Sequence, residues 1–237
     1  MVSTVVTSKT LAPKRRARDT TVAWKILMAL TGLFFVLFVV LHMYGNLKIL
    51  WGPEAYDGYA TWLREAFYPL IPHGGVLLVL RILLVISLAV HGYAAVKLWL
   101  RARAARGTAY VERNTLATSY AVRTVRWGSV IIFVWVVFHL AQFTWLAVNL
   151  GEDYSTLSPY ERMVFTFQQW WWVLLYGIVM LILALHVRHG LWSAFATLGG
   201  NKKSREAALN WLAIFLAGLL FLGFMLPPVL IFLNVIS

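Results

Sequence analysis

Cysteine is absent from all 237 residues. That excludes disulfides, Cys-ligated iron–sulfur clusters and Cys zinc sites, and it leaves the redox compartment unread. Charge is also scarce, at 13% of residues. Acids number nine against 21 Lys and Arg. None lies in the core of a long apolar run, which argues against a carboxylate proton relay inside a membrane. No internal repeat or low-complexity tract occurs. A cleaved secretory signal is not expected either. Residues 1–22 carry KRRAR at 14–18 and almost nothing apolar, and the run that follows is long enough to span a bilayer and reads as retained. These 22 residues are expected to form a basic cytoplasmic arm, ahead of a membrane domain over 23–237.

Apolar residues are plentiful, at 61% of the chain against roughly 45–50% in a soluble domain. The expected class is all-α integral membrane. Five runs suffice to cross a hydrocarbon core, which takes about 20 helical residues. They extend from Ala23 to Leu50, Pro72 to Leu100, Arg123 to Leu150, Gln169 to Leu198 and Leu209 to Val235. Gly52-Pro53 should stop the first and Gly199-Gly200 the fourth. Pro72 suits the first turn of the second, and Pro227-Pro228 should kink or fray the fifth.

The net charge of +12 reads as topology, not as nucleic-acid binding. Segments 1–25, 97–126 and 188–205 hold 17 of the 21 basic residues, while six of the nine acids fall in the other two loops. The positive-inside rule then places the N-terminus in the cytoplasm and the C-terminus outside.

Of six histidines, five lie inside spans: His42, His91, His139, His186 and His189. Each of the first four spans holds at least one. An imidazole in hydrocarbon needs a partner. Near His42, in VVLHMYGNL, the polar candidates are Tyr44 and Asn46. At about 1.5 Å per residue, His42 and His139 lie ~27 and ~24 Å from the inner ends of their helices, and His91 and His186 ~14 and ~18 Å. Two histidines therefore share an outer level and two an inner level. Opposed histidines at one level suit the two axial positions of a haem iron. Zinc would need three or four close ligands. The expected pairs are His42 with His139 and His91 with His186, each holding one haem b. In ALHVRHGLWSAFATLG, spacing alone leaves both His186 and His189 open as the fourth ligand. Glycines at 32, 45, 92, 128, 177 and 190 could make room for a macrocycle or simply serve helix packing.

WKILMALTGLF, LHMYGNL, VRWGSVIIFVWVVFHL and HVRHGLWSAFATLG resemble the cytochrome b subunit of succinate dehydrogenases and fumarate reductases, in its single-chain, five-helix, di-haem form (the b558 family). The resemblance covers roughly residues 22–200. It implies that His42 pairs with His139 and His91 with His186, with His186 as the fourth-helix ligand and His189 its neighbour. It also implies flavoprotein and iron–sulfur partner subunits, a quinone substrate (menaquinone for most of this type) and a place in a prokaryotic cell membrane. This chain would pass electrons between the iron–sulfur subunit and the quinone without touching succinate. Some members carry a glutamate two residues before the fourth ligand. Ala184 stands there in this chain, which puts a proton pathway of that kind in doubt.

Arg81 lies at the outer haem's level. It is expected to meet a haem propionate or a polar outer cavity, the alternative being Glu65 or loop carbonyls. His189, Arg126 and Trp127 are further candidates for propionates. Trp24, Lys25, Trp62, Arg64, Glu65 and His73 are candidates for quinone sites, with interfacial anchoring the alternative for the tryptophans and basic residues. Trp170, Trp171 and Trp172 read as an interfacial aromatic belt. The rival functions are another di-haem cytochrome b, such as a b561-like protein or a hydrogenase or formate dehydrogenase anchor, and a cofactor-free anchor or transporter.

Overall fold

The computed structural model describes residues 20–105, 116–148, 151–200 and 202–237, with side chains of the third long helix described from Val125 onward. Residues 1–19 of the expected basic arm lie outside the described residues. Among the described residues seven α-helices follow in order: α1 (Thr21–Leu47), α2 (Pro53–Glu65), α3 (Gly75–Ala104), α4 (Leu116–Phe143), α5 (Pro159–Phe167), α6 (Trp170–Thr197) and α7 (Glu206–Phe232). Among the described residues no strand occurs. Five helices (α1, α3, α4, α6 and α7) are long and apolar enough to cross a membrane. The protein is an all-α, multi-pass membrane protein.

Local signals set the helix ends. The Thr20 side chain caps α1 by accepting the N–H of Ala23 at 3.1 Å. Gly52, at φ +89°, turns the chain after a short 3-10 turn, and Pro53 opens α2. There the missing proline N–H leaves nothing unsatisfied. Gly199, at φ +80°, closes α6. Three expectations need correction. Pro72 lies in the turn before α3, which begins at Gly75 after Gly74 takes φ +73°. The expected span to Leu150 stops at Phe143, because the N–H groups of Trp145 and Ala147 bond back to Leu140 and Ala141 and Leu146 takes φ +52°. And α7 does not fray at Pro227 and Pro228 but continues through them to Phe232, with both prolines buried.

The two short helices lie between spans and cap one end of the bundle, called here the capped end. The Ser158 side chain and Glu161 form a reciprocal capping box on α5, with Pro159 at its first turn. Asp57 of α2 accepts the Tyr160 N–H at 2.9 Å, joining the two short helices. Ile49, Tyr160, Met163, Phe167, Tyr176 and Ile231 form the apolar core at this end. Deeper in the bundle, Met43, Val187 and Leu220 join α1, α6 and α7. Ala184, Val187, Leu191 and Ala194 of α6 are buried, as are Ala213 and Ala217 of α7. Small residues on facing sides let helices approach closely in an apolar solvent.

The contacts define a particular layout. Helix α1 packs on α3, α6 and α7; α6 packs on α1, α4 and α7; α4 packs chiefly on α6. The first four long helices thus close three sides of a square, in the order α3, α1, α6, α4, with α7 behind α1 and α6. On the fourth side, among the described residues, α3 and α4 do not pack closely along their length.

Candidate cofactor site

Four histidines meet across the diagonals of this square. His42 on α1 faces His139 on α4 with ring centres 5.9 Å apart. His91 on α3 faces His186 on α6 at 6.4 Å. Two imidazole nitrogens about 2 Å from one metal ion on opposite sides would leave ring centres roughly 6 Å apart, so both separations suit a shared axial ligation. Among the described residues, neither diagonal has substantial backbone packing. Among the described residues, no group of three or more His, Cys, Asp or Glu is placed to hold a metal ion. Two ligands per level match a metal whose remaining positions a macrocycle fills.

The pairs occupy two levels. His42 and His139 lie near the capped end, five and four residues before the ends of α1 and α4. His91 and His186 lie deeper, at the level of Thr31 on α1 and Ser129 on α4, which their rings touch. Thr31 to His42 is eleven residues and Ser129 to His139 ten, so the levels lie roughly 15–17 Å apart at 1.5 Å per residue.

The pair near the capped end is ringed by aromatics. Phe38 stacks on His42 at 5.4 Å and Phe224 sits 6.0 Å away. Phe143 and Tyr176 flank His139. Asn46 does not reach the His42 ring; its amide donates to the His42 backbone carbonyl at 2.8 Å. Tyr44 instead meets Tyr59 and Lys48. His42 is exposed even between these rings. The His139 Nδ1 is buried with no hydrogen-bond partner, an expensive state for an imidazole nitrogen in an apolar setting. Such a pair fits the pole of a large apolar group better than a packing histidine.

At the deeper level, the Gly32 backbone lies against His91: a Cβ there would sit 3.4 Å from the ring. A notch of about 20 Å³ beside His186 is lined by Val125, Gly128, Ile182 and Leu185. It has room for one water only.

His189 is exposed one turn beyond His186, and His186 alone of the two faces His91. Arg81 is exposed near the capped end of α3 and makes no hydrogen bond or ion pair among the described residues, so the expected alternative of Glu65 or loop carbonyls is not formed. Arg126 lies 5.9 Å over the Trp99 ring, linking α4 to α3 at the end opposite the cap. Trp127 is exposed beside it. At that same end Trp24 meets Tyr93 edge-on, with the Lys97 ammonium 4.3 Å over the Trp24 ring, and Lys25 is exposed. Sequence reasoning missed Tyr93, Lys97 and Trp99 there; their i, i+4 spacing from 93 to 97 was the available signal.

The other quinone candidates do not converge on a pocket. Trp62, Arg64 and Glu65 are exposed on α2, Trp62 stacked on Tyr59 and His73 on Tyr68. The segment that carries Trp62, Arg64 and Glu65 is thus a surface helix. Sequence reasoning also missed a buried polar network beside His139. The Tyr176 hydroxyl donates to Gln142 Oε1 at 2.9 Å, the Gln142 amide to Thr166 at 3.4 Å, and the Tyr154 hydroxyl lies 2.6 Å from Thr166, whose own proton goes to the Arg162 carbonyl. With the Thr166 proton committed, Tyr154 must donate to it. Both tyrosines therefore donate inward, which makes the network a clamp of α5 on α4 and α6 and not a proton wire. Outside the spans, burial and the nearby Arg64 lower the Arg162 pKa, while its Nε donates to the Tyr154 carbonyl at 2.7 Å.

Compared with protein-family models, curated proteins and solved structures, the chain matches none.

Proposed function

We propose that this chain is the membrane-anchor cytochrome b subunit of a succinate:quinone oxidoreductase, holding two haems b and passing electrons between an iron–sulfur subunit and a quinone, with menaquinone the favoured type. The carrying observation is the pair of cross-bundle histidine contacts at two levels, 5.9 and 6.4 Å between ring centres. Sequence resemblance supplies the choice of complex. His42 and His139 hold one haem iron and His91 and His186 the other. Bound there, the haems supply one-electron transfer in a low-dielectric setting.

The protein's own part is to fix two imidazoles per level and to exclude water with Phe38, Phe143 and Phe224. The level spacing is held by α1 and α4. At the end opposite the cap, Lys25, Lys97 and Arg126 gather cations among Trp24, Tyr93 and Trp99. That face suits an incoming partner subunit and a quinone head group, with an aromatic wall and few polar groups. In this proposal it faces the cytoplasm of a prokaryotic cell, and the C-terminus lies outside.

Haem content tests the proposal. Pyridine haemochrome and reduced-minus-oxidised spectra of the chain purified with its partners should give two haems b. His42→Ala and His139→Ala should each lose the same haem, and His91→Ala and His186→Ala the other. A colourless wild-type complex sinks the proposal. Two haems without a co-purifying flavoprotein and succinate-dependent quinone reduction would assign the chain to another di-haem cytochrome b.

A further inference from the structure

The deeper pair differs from the one near the capped end in a way that deepens the haem reading and rests on it. Thr31 Oγ1 lies 3.1 Å from His91 Nδ1. Ser129 Oγ lies 3.4 Å from His186 Nδ1. Each hydroxyl also bonds back to its own helix: Thr31 to the Leu27 carbonyl at 2.8 Å, with the Met28 carbonyl at 3.2 Å, and Ser129 to the Val125 carbonyl at 2.7 Å.

A hydroxyl has one proton. In both residues it goes to a carbonyl, the usual i−4 back-bond of Ser and Thr in helices. The hydroxyl oxygen can then only accept from the ring. Hydrogen-bond accounting therefore puts the proton on Nδ1 of His91 and of His186. In a neutral imidazole the other nitrogen, Nε2, is left with a free lone pair. That is the nitrogen a metal needs, and fixing it by a bond to the opposite nitrogen is how ligand histidines are commonly oriented.

We propose that Thr31 and Ser129 are positioning residues for His91 and His186, fixing ring orientation and tautomer so that both Nε2 atoms are presented to one haem iron. The arrangement is crossed. The helix that carries His42 supplies the hydroxyl for His91, and the helix that carries His139 supplies the hydroxyl for His186. Each helix of one ligand pair thereby orients a ligand of the other. The pair near the capped end has no equivalent: His139 Nδ1 is buried unpartnered, and no described residue bonds the His42 ring. The Nδ1–H bond also raises the basicity of Nε2, which favours the oxidised iron. The two haems are thus given different potentials by hydroxyls that touch neither iron.

The test uses Thr31→Val and Ser129→Ala in the purified complex, with Thr31→Ser and Ser129→Thr as conservative controls. Redox titration of the haem bands and electron paramagnetic resonance of the oxidised complex are the readouts. Expected are an upward shift in the potential of the haem that His91→Ala loses, changed g-values for that haem, no change in the other haem, and recovery in the conservative controls. Unchanged potentials and g-values in both Thr31→Val and Ser129→Ala overturn the inference while leaving the haem reading intact. So does an equal disturbance of both haems that Thr31→Ser fails to reverse, since that reports general loosening. A wild-type complex without haem sinks both.

Discussion

Gly32 of α1 lies directly against the His91 ring of α3, with 3.4 Å between the imidazole Cε1 and the place a Cβ would occupy. The site is thus built where two adjacent helices approach closely, and the glycine sets how deep the ring can sit. Gly32→Ala adds one methyl at ordinary contact and should be tolerated. Gly32→Leu must displace the ring. Its complex should lose one haem of two, the same one that His91→Ala loses, with the other spectrum unchanged. Full retention of both haems in Gly32→Leu would show that the ring has room to move.

His186 and His189 lie on neighbouring parts of one helix face, but only His186 meets His91. His189→Ala should keep two haems per chain, and His186→Ala should fall to one. Haem-to-protein ratio is the measurement, and the reverse result would move the ligand by one turn.

Gln142 joins Tyr176 to Thr166 in a buried network. Gln142→Leu would strand the Tyr176 hydroxyl, and a buried unsatisfied group costs about 1–3 kcal/mol. The expected outcome is a lower midpoint of thermal unfolding in detergent, read by circular dichroism, with both haems retained below it. Tyr176→Phe would in turn strand the buried Gln142 Oε1 and should lower the midpoint by a comparable amount. Equal midpoints for Gln142→Leu and wild type would remove the network from the stability account.

Arg81 is exposed six residues into α3, close to the level of His42 and His139. No described side chain pairs with it, which fits a partner absent from the polypeptide. Arg81→Leu should weaken retention of the haem held by His42 and His139 during detergent purification and spare the other. Equal retention of both haems would leave Arg81 with headgroup contact alone.

Particular elements show what was legible beforehand. The five spans follow from run length, because a bilayer sets a minimum that any long apolar run reveals. The short helices do not stand out in hydropathy, although each carries a signal: Gly52-Pro53-Glu54 for α2 and Ser158-Pro159-x-Glu161 for α5. At 13 and 9 residues they are too short and too polar to register beside the spans. Hydropathy carries the third span too far because Leu146 is apolar, while its positive φ depends on backbone bonds that composition does not report.

By itself, the sequence determined the membrane class, the number of spans and the two histidine levels. All three are one-dimensional quantities: hydropathy, length and rise along a helix. The tertiary structure alone decided which helices are neighbours. That depends on how each helix is rotated and how closely small residues let it approach, and neither is written in a single span. It set the histidines on the diagonals of a square. It also brought Thr31 to His91 and Ser129 to His186 across 60 and 57 residues of chain. Hydrogen bonds of a few ångströms between helices far apart in sequence leave no periodic trace, so only the packed bundle could reveal them.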